Sequence, residues 1–123
     1  MSGGAQARAL GRWGEELVAR HLAARGWRIL AANYRCRFGE IDLIVQDGGY
    51  LAFVEVKLRK DSRFGLPLEA VTQRKQERLR ATAQLYLAEH PNPRQPRFDV
   101  AQVYAPRGMA TANPRIEYVE NAF

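Results

Sequence analysis

Three residues have the types and spacing to act as a chemical set. Glu55 and Lys57 stand two apart in Phe53-Val54-Glu55-Val56-Lys57, an otherwise apolar run. Side chains alternate between the faces of a strand, so Glu55 and Lys57 project one way while Val54 and Val56 project the other. Ile41-Asp42-Leu43-Ile44-Val45 and Tyr50–Val56 are rich in β-formers and are joined through Asp47-Gly48-Gly49, which predicts a β-hairpin. A two-residue Gly48-Gly49 turn, or a four-residue loop from Asp47 to Tyr50, puts Asp42 opposite Glu55 on the Lys57 face. A three-residue loop would turn Asp42 to the other face. Carboxylates so opposed, with Cβ atoms about 4.5–5.5 Å apart, repel one another. A shared proton or a divalent cation would offset that repulsion. Carboxylate oxygens suit Mg²⁺ or Mn²⁺, ions that take one or two carboxylates, keep several waters and accept phosphate oxygens. Lys57 would then orient or deprotonate a water, or stabilise charge on a pentacovalent phosphorus. This is equipment for phosphodiester hydrolysis. The same residues also fit a solvated sheet face carrying a Glu55–Lys57 ion pair, which would contribute little. Ile44 and Phe53 on that face favour a covering helix.

The elements that must position the set are legible from periodicity. Leu10, Trp13, Leu17, Val18, His21 and Leu22 recur at helical spacing, predicting a first helix from about Ala5 to Arg25 with Gly26 at its C-terminal cap. Trp27–Leu30 reads as a short strand, followed by a basic loop from Asn33 to Gly39. After the hairpin, Lys57–Gly65 leads into a second basic loop. A second helix is expected from about Leu68 to His90, with Leu68, Val71, Leu79, Thr82, Ala83, Tyr86 and Leu87 on one face and Pro91-Asn92-Pro93 as its stop. Arg97–Tyr104 and Ile116–Val119 complete an order of α-β-β-β-α-β-β.

The chain has 123 residues, 46% of them hydrophobic, a net charge of +6 and a pI near 10. That length predicts a single α/β domain over residues 1–123, with about residues 1–8 flexible, able to bury roughly two-thirds of its unfolded surface. The single cysteine, Cys36, excludes an internal disulfide and a multi-cysteine zinc site. No apolar run follows Met1-Ser2-Gly3-Gly4-Ala5, and no window approaches the length of a membrane span. Neither a secretory signal nor a membrane partner is expected, and the default compartment is the cytoplasm. The basic balance favours an anionic partner such as nucleic acid.

Gly39-Glu40-Ile41-Asp42-Leu43-Ile44 followed by Phe53-Val54-Glu55-Val56-Lys57 resembles the PD-(D/E)XK nuclease signature, with Ile-Asp in place of Pro-Asp. Over nearly its whole length the chain resembles the YraN-like family of predicted endonucleases, relatives of the archaeal Holliday-junction resolvases. Gly11-Arg12-Trp13-Gly14-Glu15, Gly26–Leu30, Asn33-Tyr34-Arg35, Arg97-Phe98-Asp99-Val100 and Asn121-Ala122-Phe123 carry the likeness. The resemblance implies a restriction-endonuclease-like core, a mixed central sheet flanked by helices. It also implies a Mg²⁺- or Mn²⁺-dependent endonuclease acting on DNA, including branched or distorted DNA in repair and recombination. By the same resemblance, Asp42 and Glu55 would be metal ligands together with the Val56 carbonyl, and Lys57 the catalytic lysine. A glutamate from the first helix would join them, and Gly14-Glu15 matches that pattern. On a helical wheel Glu15 falls beside Leu22 at the edge of the buried stripe, whereas Glu16 points outward. A symmetric four-way junction would suit a homodimer. The rivals are a nucleic-acid-binding scaffold that keeps the fold without efficient catalysis, and a protein-interaction domain with an incidental basic surface.

Lys75 interrupts the apolar line of the second helix, either snorkelling past the sheet edge or reaching the acids and a phosphate. Gln73 and Gln76 are weaker candidates. Arg35 and Arg37 before the site, and Arg59, Lys60 and Arg63 after it, are individually ordinary surface charges. Together, with Tyr34, Phe38 and Phe64 interleaved, they form a phosphate-tracking rim. His21 reads as a packed histidine and His90 as a helix-end residue. Cys36 lacks a nearby base, and Asp99 reads as a structural acid paired with an arginine.

Overall fold

The computed structural model describes residues 3–60 and 71–123. Helix α1, Gly3–Ala24, buries Gly14, Val18 and Leu22 and ends at Gly26, whose φ of +88° suits the left-handed C-terminal cap. Strands β1 (Arg28–Cys36), β2 (Gly39–Asp47), β3 (Tyr50–Arg59), β4 (Gln95–Tyr104) and β5 (Arg115–Val119) form one sheet in that order. Neighbours are antiparallel except β3 and β4, which run parallel, with helix α2 (Gln73–Glu89) between them in sequence. Val18 and Leu22 of α1 cover one face, against Leu43, Val45, Val54 and Val103. Leu79, Ala83 and Tyr86 of α2 cover the other, against Ile44, Leu51, Phe53 and Val100. The result is the expected mixed sheet between helices.

The β2–β3 register pairs Asp47 with Tyr50 and Leu43 with Val54, as a two-residue Gly48-Gly49 turn requires. Strands β2, β3 and β4 each run two or three residues beyond the sequence reading, to Gly39, Arg59 and Gln95, and two boundaries differ more. Asn33–Cys36, expected in a basic loop, belongs to β1, and only Arg37 and Phe38 form the turn. The ladder explains this, because Tyr34 pairs with buried Ile41 and stacks edge-on against Tyr86 at 5.1 Å. Backbone pairing and aromatic burial outweigh the polar composition. Helix α2 starts at Gln73 rather than near Leu68. Thr72 is its N-cap, with Oγ1 accepting from the Lys75 N–H at 3.2 Å. Val71, still outside the helix, is buried in the core. Leu68, Arg63 and Phe64 lie outside the described residues.

Strand alternation slips in the middle of β2. Ile41 and Ile44 both pack on the α2 side, although Leu43 and Val45 pack on the α1 side. Across from this slip, Asn33 of β1 has a φ of +55°. Asp42 sits where the regular pattern breaks.

The hairpin-turn end of the sheet holds a separate polar network. Arg97 donates to both oxygens of fully buried Asp99 and, at 3.0 Å, to Asp47. The Tyr118 hydroxyl and the Asn121 N–H complete the Asp99 shell at 2.6 and 2.9 Å. Asp99 is therefore the structural acid expected of it. Among the described residues, no helix is long and apolar enough to cross a membrane.

Candidate active site

Asp42 does not continue the ladder. Its Oδ2 accepts the Val56 N–H at 2.8 Å, so a side chain takes the place of a strand carbonyl and is locked at the edge of the break. Glu15 arrives from α1, which lies close to β3 at this point: a Cβ on Gly14 would stand 3.1 Å from Leu58 Cδ2. That near contact lowers the next residue, Glu15, onto the sheet. One oxygen each of Glu15, Glu40 and Asp42 lies within 4.8 Å of the others. All three are half-buried. Glu16, as expected, is solvated and pairs with Arg20 across one helical turn at 3.7 Å.

Glu55 adjoins this trio from β3 and is only 5% exposed. Its Oε2 is paired with Lys57 Nζ at 3.3 Å and, more closely, with Lys75 Nζ. Lys75 thus reaches the acids rather than snorkelling away. The carboxyls of Glu15 and Glu55 both bear on Asp42 electrostatically. Burial, and then the Glu55 charge, push Asp42 up to about 8, with the Val56 N–H working in the opposite direction. Glu15 is raised chiefly by burial, partly countered by a hydrogen bond from Asn33. Lys57 is lowered by burial and by neighbouring Lys75, whereas at Lys75 the Glu55 carboxylate outweighs burial and holds the ammonium above its usual range. Two lysines side by side are therefore shifted in opposite directions, Lys57 down and Lys75 up.

Two clefts meet at Asp42 and Glu40. One, of about 470 Å³, continues past Glu55 to Arg74, Lys75 and Arg78 of α2. The other, of about 380 Å³, holds Glu15 beside Arg8, Arg12 and Arg35. The acids form a wall between two basic troughs.

The profile of the uncharacterised protein family UPF0102 matches residues 14–103, a span that contains Glu15, Glu40, Asp42, Glu55, Lys57 and Lys75. The chain belongs to UPF0102. A UPF0102 protein of Frankia casuarinae is 51% identical over 116 residues, covering 94% of this chain and 96% of the relative. One of Symbiobacterium thermophilum is 50% identical over 118 residues, covering 94% and 97%. One of Acidothermus cellulolyticus is 46% identical over an alignment of 135 positions spanning both chains in full. UPF0102 is the YraN-like family of predicted endonucleases that the motifs resemble.

In this UPF0102 chain the structure brings Glu15, Asp42, Glu55 and Lys57 together, with Lys75 added from α2. Sequence reasoning missed Glu40, although its position two residues before Asp42 is a same-face spacing within the quoted Gly39-Glu40-Ile41-Asp42. It also missed Arg8 and Arg12 on one side and Arg74 and Arg78 on the other, each pair spaced i, i+4 so that both members share a helix edge. The expected rim is only partly gathered. Arg35 lines the α1-side cleft and pairs with Glu40 at 3.3 Å. Arg37 stands in the β1–β2 turn over Phe38. Arg59 donates through Nε to Gln102 at 2.9 Å, a tie within the sheet, and Lys60 is exposed beyond β3. Arg63 lies outside the described residues.

Proposed function

We propose that this protein hydrolyses phosphodiester bonds of nucleic acid, DNA in the first place, with Mg²⁺ or Mn²⁺ as cofactor. The carrying observation is the meeting of three carboxylates from two elements within 4.8 Å, at the junction of two basic clefts. The donor set fits the ion: every donor is a hard oxygen, and burial has concentrated more negative charge than the carboxyls tolerate without a proton or a cation. Asp42, Glu15 and Glu40 would hold it, with Glu55 and the Val56 carbonyl completing the set as the family resemblance suggests. Such an ion, when bound, lowers the pKa of a coordinated water and neutralises charge on phosphoryl oxygens.

The remaining work falls to the chain. The Val56 N–H fixes the Asp42 carboxylate. Lys57 Nζ, 3.3 Å from Glu55 and lowered by burial, would orient or deprotonate the attacking water, and Lys75 Nζ, also on Glu55 and raised, would face the phosphate. The arginines of both clefts hold the backbone on either side of the scissile bond. Branched or distorted DNA is the proposed substrate by resemblance to the resolvase-like enzymes.

Cleavage of linear, nicked, flapped and four-way DNA with Mg²⁺ or Mn²⁺ tests this. Asp42→Ala and Lys57→Ala are each expected to lower the rate by about 10²-fold or more. Unchanged cleavage in both variants would remove the assignment. One observation favours the scaffold alternative: the Glu55 carboxylate is already neutralised by two lysines. Tight binding without metal-dependent cleavage on any of these substrates would select it.

A further inference from the structure

We propose that the β1–β2 turn is a stacking site for an unpaired base, so that the protein engages nucleic acid where nucleotides are single-stranded or opened beside the acids. The inference rests on the nucleic-acid reading above and gives it a substrate class. The turn consists of Arg37 and Phe38 alone. Phe38 is 38% exposed, and its backbone N–H is tied to Cys36 Sγ at 3.4 Å. Gly39 follows with φ +151°, a conformation side chains disfavour, and a Cβ there would stand 3.5 Å from Thr82 Oγ1. The turn is thereby laid against α2.

A single exposed phenyl ring is commonplace and needs no explanation. Its surroundings do. Phe38 opens onto a groove of about 360 Å³ whose other walls are Arg37, Arg74, Arg78 and Ala81, with one acid, Glu77, among three arginines. Arg74 and Arg78 also line the cleft that holds Asp42 and Glu55. One pair of arginines therefore borders both the proposed scissile phosphate and the ring. A strand whose phosphate lies at the acids is carried by these guanidiniums to Phe38, where its base meets an aromatic face. Arg37, whose guanidinium lies over the ring 4.8 Å from its centroid, is a third planar cation there, for the base or its phosphate. Bases inside a duplex are stacked on each other and cannot reach this ring. Unpaired bases can, whatever their sequence, because every base has a π-face.

The test is binding in EDTA, read by fluorescence anisotropy, with labelled oligothymidylate of about 15 nucleotides, near the upper site size of a stacking groove, and with a blunt duplex for comparison. Phe38→Ala should bind the single strand about ten-fold more weakly, the loss of one stacked base, while duplex affinity and Tm stay near the parent's. Phe38→Trp should retain binding, and its added emission should be quenched by the single strand. Single-strand affinity of Phe38→Ala equal to the parent's would overturn the proposal, as would an equal loss on duplex, or a parent that binds neither. Because binding in EDTA proceeds without turnover, a failure of hydrolysis and a failure of stacking are read separately.

Discussion

At the scale of single residues, the chemistry depends on how uncomfortable Asp42 is. Its ordinary value is 3.8, and in the fold it is pushed up to about 8, first by burial and then by Glu55. The sign follows from linkage: between these limits the unfolded chain gives up the proton more readily, so the folded state loses stability as pH rises from about 4 to about 8. Asp42→Asn should remove that slope and, in EDTA at pH 7–8, raise stability by on the order of 2 kcal/mol, several degrees in Tm. Thermal melts across this pH range check it, and parallel parent and variant profiles would contradict it. Glu55 and Lys57 were legible from i, i+2 spacing on a strand, Asp42 from the hairpin register that a two- or four-residue turn implies, and Glu15 from the family resemblance, supported by its place at the edge of the helical stripe. Lys75 was legible only as a charge in an apolar line, since its partner comes from β3. Glu40 was overlooked because it adjoins Asp42 in sequence, and the arginines because an i, i+4 basic pair looks like any solvated face.

At the scale of elements, the site depends on how closely α1 approaches the sheet. Gly14 is buried, and the 3.1 Å between its virtual Cβ and Leu58 leaves no room for a larger residue without moving α1 or repacking Leu58. Gly14→Val should cost about 1–3 kcal/mol by overpacking and, by lifting Glu15 from Asp42 and Glu40, weaken Mn²⁺ binding. Melting and metal titration check both effects together, and Mn²⁺ affinity equal to the parent's despite lowered stability would contradict the positioning role. The sequence reading recovered both α-helices, all five strands and the hairpin register, because period-2 and period-3.6 patterns are strong there, and it read the short 3₁₀ turn at Gly108–Ala110 as loop. It shortened β1, since Asn33–Cys36 gain their order from β2 and Tyr86 rather than from their own propensity. It started α2 too early, since the Thr72 cap outweighs an apolar periodicity that extends beyond it. The phase slip at Asp42 was not readable at all, for alternation assumes the regular ladder that the Val56–Asp42 bond replaces.

At the scale of the whole molecule, a surplus of +6 conceals a division of labour. Of 13 acidic residues, two buried groups matter most, and they lie at opposite ends of the β2–β3 ladder. At the turn end, Asp99 and Asp47 are neutralised by Arg97, with Glu120 3.4 Å from the same guanidinium. Every side-chain demand there is met internally, so that cluster serves stability. At the other end, Glu15, Glu40 and Asp42 crowd together, Glu40 is paired with Arg35, and basic clefts open on both sides. Family membership adds that relatives at about half identity span essentially the same length. If this second cluster holds a divalent cation, anomalous diffraction from crystals soaked in Mn²⁺ will locate it. One strong peak coordinated by Asp42 together with Glu15 or Glu40 is expected. No peak at these carboxylates, or a peak at the Asp47–Asp99–Glu120 group instead, would contradict it.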